Sequence, residues 1–182
     1  RAGLEVQGGF IVGFDSATPA TFQRQVEFIQ KSGIVTAMVG VLNALPRTRL
    51  YERMAREGRL TGRTSGDNMD GTTNFRTRMS VDALRQGYKA LVRRLYAPGV
   101  YYRRVRTFLR EYRPPRARPR PRPSDLRALV YANIRLGIIG RERFQYWRLL
   151  AWTFFRRPAL MPTAVTLAIY GHHFRKIGDA LS

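Results

Sequence analysis

A chain of 182 residues can hold one domain, or one domain and part of another. Its 44% hydrophobic content supports a packed core and excludes global disorder, while a formal charge of +21 marks a surface that attracts anions. With no cysteine and two histidines, its own residues exclude a disulfide, a thiolate nucleophile, a cysteine-ligated zinc and an iron–sulfur cluster.

The first predicted element is a strand at the far end of Leu4 to Phe14, running into the glycine-rich, acidic turn Gly13-Phe14-Asp15-Ser16. Thr18 can cap a helix with Pro19 at its first position, where the missing N–H costs nothing. Phe22, Val26 and Ile29 fall on one face of that helix, and Gly33 suits a left-handed cap. The continuous apolar run from Val35 to Leu42 predicts a second strand, covered on both faces as in a parallel sheet, with the helix as crossover. A loop containing Pro46 leads to a short helix from about Arg49 to Arg56, closed by Gly58. Gly62 to Asn74 is polar and reads as loop.

From Ser80 the pattern turns helical. Val81, Leu84, Tyr88, Leu91 and Leu95 form an apolar stripe, and Pro98-Gly99 is expected to break this helix. Tyr101, Val105, Phe108 and Tyr112 mark the next one. Pro114 to Pro123 alternates proline with arginine and should be an extended, solvated linker. Three helical stretches are expected after it: Ser124 to Leu136, Glu142 to Arg156, and about Thr163 to Leu181. Gly137 and Gly140 should separate the first two, and Pro158 and Pro162 the last two. Phe144, Trp147, Ala151 and Phe154 are expected in the core. The fold class is therefore α/β followed by all-α. Residues 1–60 form the α/β part, 61–79 a connecting loop and 80–182 a helical domain with its linker at 114–123.

No repeat of fixed period, no secretory signal pattern and no apolar run of the roughly 18 to 20 residues that a membrane span needs is visible. The best candidate runs, Leu149 to Phe155 and Ala164 to Tyr170, both fall well short of that length. A soluble or peripherally attached protein is expected, in the cytoplasm or on the inner face of the membrane.

The charge is uneven. Residues 1–75 hold nine basic and seven acidic side chains, residues 76–123 fifteen and two, and residues 124–182 nine and three. Such a field attracts phosphate polymers and anionic lipid surfaces. Thirty of the 33 basic residues are arginine, a skew that a GC-rich genome also produces without selection for binding. The stripe Arg103, Arg106, Arg110 and Arg113 could meet phosphates or lipid headgroups, or simply face solvent. Asp67 to Gly71 has the wrong acidic spacing for a calcium loop, and His172 and His173, adjacent on a helix, point about 100° apart and cannot easily share a ligand.

Two loops carry candidate chemistry. Ligands of α/β proteins bind at the carboxyl ends of parallel strands, so the turn Gly13 to Ser16 and the loop Asn43 to Thr48 should share one pocket rim. Tight packing at the glycines and a loop stiffened by Pro46, with Thr48 as a helix cap, account for the same residues structurally.

The order Gly-Phe-Ile-Val-Gly-Phe-Asp, helix, Met-Val-Gly-Val-Leu-Asn-Ala-Leu-Pro-Arg-Thr-Arg-Leu-Tyr resembles the last third of a radical S-adenosylmethionine (SAM) barrel. The resemblance is closest to the cobalamin-binding subgroup. Asn74-Phe75, Gly87-Tyr88, Leu95-Tyr96-Ala97-Pro98, Tyr101-Tyr102, Tyr146-Trp147 and His173-Phe174 are similar to the uncharacterised helical domain that follows that barrel.

The resemblance implies that the chain is a C-terminal piece of a larger enzyme, missing the N-terminal part of its own chain. It would hold the last two parallel strands of the barrel and the helical domain. It further implies that Gly9, Ile11 and Gly13 lie against the SAM adenine, with Asp15 and Ser16 in the turn. Ser16 stands where the motif ends in Glu. Leu42, Asn43 and Ala44 would border the adenine or the substrate, and Arg47 replaces a glycine of the usual Leu-Pro-Gly-Thr. The ligands of the [4Fe–4S] cluster would lie outside this chain. The implied reaction cleaves SAM to a 5′-deoxyadenosyl radical, with a methyl group passing from cobalamin in some members, on a small-molecule or lipid substrate. A fragment without cluster ligands should be inactive by itself. The alternative, ranked second, is a non-enzymatic basic module binding RNA or an anionic membrane; the absence of aromatic-plus-basic motifs of known RNA folds argues against nucleic acid.

Overall fold

A computed structural model describes residues 4–67, 70–114 and 130–180. Strand β1 (Gln7–Val12), helix α1 (Pro19–Ser32) and strand β2 (Thr36–Val41) form a βαβ unit. The strands pair in parallel, with Gly9 opposite Met38, Ile11 opposite Gly40 and Val12 opposite Val41. The local chemistry of α1 is as expected. The Thr18 N–H donates to Thr21 Oγ1 at 3.0 Å, Pro19 opens the helix, and Gly33 closes it with φ 70°. Phe22, Val26 and Ile29 are buried.

Helix α2 (Arg49–Arg56) is capped by Thr48, whose hydroxyl accepts the Tyr51 N–H at 3.2 Å. Arg47, just before it, has φ 66°, so the turn keeps the left-handed conformation although a β-carbon is present. Helices α3 (Val81–Tyr96) and α4 (Pro98–Glu111) follow. Pro98 is the first residue of α4, leaving Ala97 as the joint between the two helices.

The two-stranded sheet is sealed along one edge by α3. Tyr88 Oη donates to the Val39 carbonyl at 3.1 Å, and Tyr96 Oη donates to the Ala37 carbonyl at 2.8 Å. The Ala37 N–H also donates to Tyr96 Oη, at 3.2 Å. These hydroxyls satisfy the main-chain groups that a further strand beside β2 would take. Among the described residues no strand pairs with the other edge of β1.

The C-terminal half contains α5 (Asn133–Ile139), which is π-helical, α6 (Arg143–Arg156) and α7 (Met161–Ala180). Two expectations are corrected here. Gly137 lies inside α5 instead of ending a helix: Trp147 Nε1 donates to its carbonyl at 2.9 Å, and a β-carbon there would sit 3.0 Å from the indole. Pro162 lies in the first turn of α7 and does not separate α7 from what precedes. The linker from residue 115 and the first part of the Ser124 to Leu136 stretch fall outside the described residues.

A larger correction concerns α6. Its buried face is Tyr146, Leu149, Leu150 and Thr153, while Phe144, Trp147 and Phe154 are 74%, 50% and 60% exposed and Ala151 is exposed as well. The helix carries apolar residues on two faces, with Arg148 and Arg156 on one flank between them, so the periodicity allowed either face, and packing against α4 and α7 selected the other one.

One continuous core joins the βαβ unit to the helices. At its centre Arg104 is fully buried. It donates to Gln30 Oε1 (3.0 Å) and to the carbonyls of Leu95 (3.2 Å) and Val35 (3.2 Å), and it lies over the rings of Tyr96 and Tyr101. Tyr101 Oη in turn donates to the Leu167 carbonyl at 2.6 Å, tying α4 to α7.

Candidate functional site: the strand-end rim

The parallel register brings the ends of β1 and β2 side by side. The Leu42 N–H donates to the Val12 carbonyl at 2.8 Å, so Gly13 and Asn43 leave the sheet at one edge. Gly13 is buried with φ 98°, a conformation that favours glycine, and a β-carbon there would approach Leu84 at 3.3 Å. Strand alternation puts Gly9 and Ile11 on the same sheet face as Met38 and Gly40. That face is open, against the expectation of a strand covered on both sides: Gly9 is exposed with nothing within 4 Å of its β-carbon position, and Ile11 and Met38 are 47% and 42% exposed. The opposite face, with Val12, Ala37, Val39 and Val41, is buried in the core.

Around the rim the polar groups are already engaged. Asp15 accepts from Arg59 at 2.6 and 3.1 Å and from Arg53 at 3.0 Å. The Arg59 hydrogen bond holds its carboxyl below the ordinary range, with the Arg59 and Arg53 charges acting in the same sense against desolvation. Glu57 also binds Arg59, at 2.8 Å. Asp15 therefore anchors the turn to residues 53–59. Ser16 is exposed in that turn.

The side chain of Asn43 faces the chain returning at residues 72–74. Its Nδ2 donates to the carbonyls of Val41 and Thr72, each at 3.2 Å, and its Oδ1 accepts the Asn74 N–H at 3.1 Å. Buried Asn74 answers with two bonds to Ala44, accepting its N–H at 2.8 Å and donating to its carbonyl at 2.8 Å. Thr73 Oγ1 donates to the Leu42 carbonyl at 2.8 Å. Ala44 is fully buried with Met54 and Phe75, and half-buried Leu42 packs on them. Thus Leu42, Asn43 and Ala44 are clamped from behind by Thr72, Thr73 and Asn74.

The structure thus groups Gly13, Asp15, Ser16, Leu42, Asn43 and Ala44 at one edge, with Gly9 and Ile11 on the adjoining open sheet face. Sequence reasoning missed Arg53, Arg59 and the Thr72 to Asn74 clamp, because arginine and asparagine in a polar loop carry no periodic signal. Chemically, the arrangement offers a flat apolar floor beside a rim stiffened by hydrogen bonds. The polar side chains of Asp15 and Asn43 are engaged by neighbouring groups, so the sheet face offers a ligand apolar contact.

A second polar cluster joins the start of α6 to α7. Glu142 is buried, and its Oε1 takes both Arg175 and His172 Nδ1, the latter at 2.8 Å. Burial favours the neutral acid there, but the bonds from Arg175 and then His172 keep its pKa below the ordinary value. His173 is exposed and packs edge-on to Phe174, so the two histidines diverge as their spacing requires. Among the described residues no group of three or more His, Cys, Asp or Glu could hold a metal ion.

An α/β crossover ending in a strand-edge rim, with helices packed behind it, defines the class. Residues 48–182 match the family described as Domain of unknown function (DUF4070), and the chain belongs to that family. It is 32% identical over 179 residues to the protein named uncharacterized methyltransferase sll1242 of Synechocystis sp., covering 96% of this chain and 33% of that protein. It is 33% identical over 138 residues to the hopanoid C-2 methylase of Rhodopseudomonas palustris, covering 75% of this chain and 24% of the methylase. The chain thus spans a third or less of the curated relatives it matches. No solved structure matches it.

Proposed function

We propose that the chain is the C-terminal part of a methyl-transferring enzyme of the radical SAM type, with the rim of Gly13 and Asn43 forming one wall of the nucleoside site. The observation that carries this reading is the lopsided sheet. Its outer edge on β2 is closed by Tyr88 and Tyr96, while on the other edge of β1, where the Ile11 carbonyl accepts from Gln25 Nε2 at 3.0 Å, no strand pairs among the described residues. A parallel sheet of two strands is unusual without further strands. Relatives named as a methyltransferase and a hopanoid methylase, each about three times as long or more, agree with it.

The residues present fit an adenine. Bare Gly9, with Met38 opposite it and the Ile11–Gly40 pair next along the strands, offers a floor a planar base can approach, and Gly13 keeps the rim low. They do not fit a [4Fe–4S] cluster, since the chain has no cysteine, so the cluster ligands belong to the rest of the protein. Bound SAM and cluster would supply the 5′-deoxyadenosyl radical, and cobalamin the methyl group. This chain's part is to present the floor, to hold Asn43 rigid through Asn74, and to keep the Asp15 turn closed through Arg59. The substrate is a small molecule or a lipid, and the protein works in the cytoplasm or at the inner face of the membrane.

The test uses the full-length protein reconstituted without oxygen. SAM cleavage to 5′-deoxyadenosine is expected. Gly9→Phe, which fills open space without touching the core, should weaken SAM binding at least about tenfold, worth ~1.4 kcal/mol. Unchanged SAM affinity in a folded Gly9→Phe variant would remove the assignment of this face.

A further inference from the structure

The face of α6 that the core does not use is strongly apolar. Phe144, Trp147, Ala151, Phe154 and Phe155 lie on one side of the helix, and Phe155 is 80% exposed. From Phe144 to Phe155 the stripe is about 16 Å long, at 1.5 Å per residue. The bond from Trp147 to Gly137 sets α5 against it, where Ile138 is also exposed.

Arginines border the stripe. Arg148, Trp152 and Arg156 follow one another at intervals of four along the flank of α6, the half that meets α4. There Arg110 of α4 lies over the Trp152 ring, and Arg110, Trp152, Arg156 and Arg157 line a hollow of about 420 Å³. Arg157 is held in place by donating to the carbonyls of Arg110 (2.8 Å) and Tyr112 (2.7 Å). Arg106 feels burial first and then the charges of Arg148, Arg110 and Arg103, which together depress its pKa. Among the described residues none of these arginines makes a salt bridge to a carboxylate. From residue 130 to 176 the one acidic side chain is Glu142, and it is buried.

We propose that this surface docks the protein on an anionic lipid bilayer, the α6 aromatics entering the headgroup boundary and the arginines of α4 and α6 meeting lipid phosphates. An apolar stripe beside a cationic flank is the pattern of a helix lying in the plane of a membrane interface. Aromatic rings sit favourably at that level, and arginine can reach out from it to the phosphates. No helix among the described residues is long and apolar enough to cross a membrane. Charge complementarity selects the occupant: the charged side chains exposed beside the stripe are arginines, which matches a continuous sheet of phosphates. The proposal stands apart from the reaction assigned above, since it uses neither the rim nor the open sheet face.

The experiment is flotation of the full-length protein with vesicles of phosphatidylcholine alone or mixed with phosphatidylglycerol. Binding to the anionic vesicles is expected, weakening as salt rises. Arg148→Gln and Arg156→Gln should each lower affinity about fivefold. Phe144→Ser combined with Phe155→Ser should lower it about tenfold or more while the circular dichroism and melting temperature stay unchanged. In the unaltered protein, lipids brominated in their acyl chains should quench the tryptophan emission. Vesicle binding unaffected by the aromatic pair, or absence of such quenching, overturns the proposal. A lowered melting temperature in the aromatic variant would show that protein covers the stripe, and salt-sensitive binding to RNA without vesicle binding would assign the arginines to nucleic acid. Either result also overturns it.

Discussion

Asp15 and Arg59 form a two-pronged ion pair at 2.6 and 3.1 Å, joining the turn after the first strand to a residue 44 positions further along the chain. Both side chains are largely buried, at 19% and 16% exposure, so the pair is less screened than a surface bridge. It fixes the position of the turn that carries Gly13.

This pair makes stability depend on acid. The Asp15 pKa in the fold lies below its ordinary value of 3.8. Its contribution is therefore complete above the unfolded pKa and is lost as pH falls through the folded one. Asp15→Asn should cost about 1–3 kcal/mol at neutral pH, from lost charge-assisted hydrogen bonds. In thermal melts the gap between wild type and variant should narrow below pH 3.8. An equal gap at neutral and strongly acid pH would show that the charge of Asp15 contributes nothing.

Asn74 clamps Ala44 through two bonds of 2.8 Å and is itself buried. Asn74→Ala leaves a buried N–H and carbonyl without partners, at a cost of roughly 1–3 kcal/mol. Hydrogen exchange at the Ala44 amide should quicken before that of β2. Uniform acceleration along both segments would instead mean global destabilisation without a local clamp.

Arg104 is a buried cation held by carbonyls and rings, with burial depressing its pKa. Arg104→Leu strips the acceptors Val35, Leu95 and Gln30 of a donor and should cost about 2–5 kcal/mol in urea unfolding. Arg104→Lys should recover little, because an ammonium cannot spread over three acceptors and two rings as a planar guanidinium does. Full recovery by lysine would point to charge alone.

Arg47 sits at φ 66° in the turn before α2. Arg47→Gly relieves the left-handed penalty of about 1–2 kcal/mol, offset in part by the greater freedom of glycine when unfolded. A net gain of about 0.5–1 kcal/mol in chemical denaturation is expected. Loss of stability would mean that the arginine side chain contributes packing that outweighs the strain.

What was legible from sequence is local and periodic. The Thr18-Pro19 start and Gly33 stop of α1, the Thr48 cap of α2 and the two apolar strands each rest on groups within a few residues of one another. Parallel pairing followed, because a helix crossing over between two successive strands leaves little else. The adjacency of Gly13 and Asn43 is a consequence of that pairing.

Tertiary packing decided what local pattern leaves degenerate. A helix with apolar residues on two faces, as α6 has, does not declare which face it buries; contact with α4 and α7 turned Tyr146 and Leu150 inward and left Phe144 and Phe154 outside. Polar partners far apart in the chain were equally silent: Asp15 with Arg59, Asn43 with Asn74, Tyr96 with the edge of β2. Hydrogen bonds of that kind depend on where two distant segments meet, and the amino-acid order by itself carries their chemistry without their address.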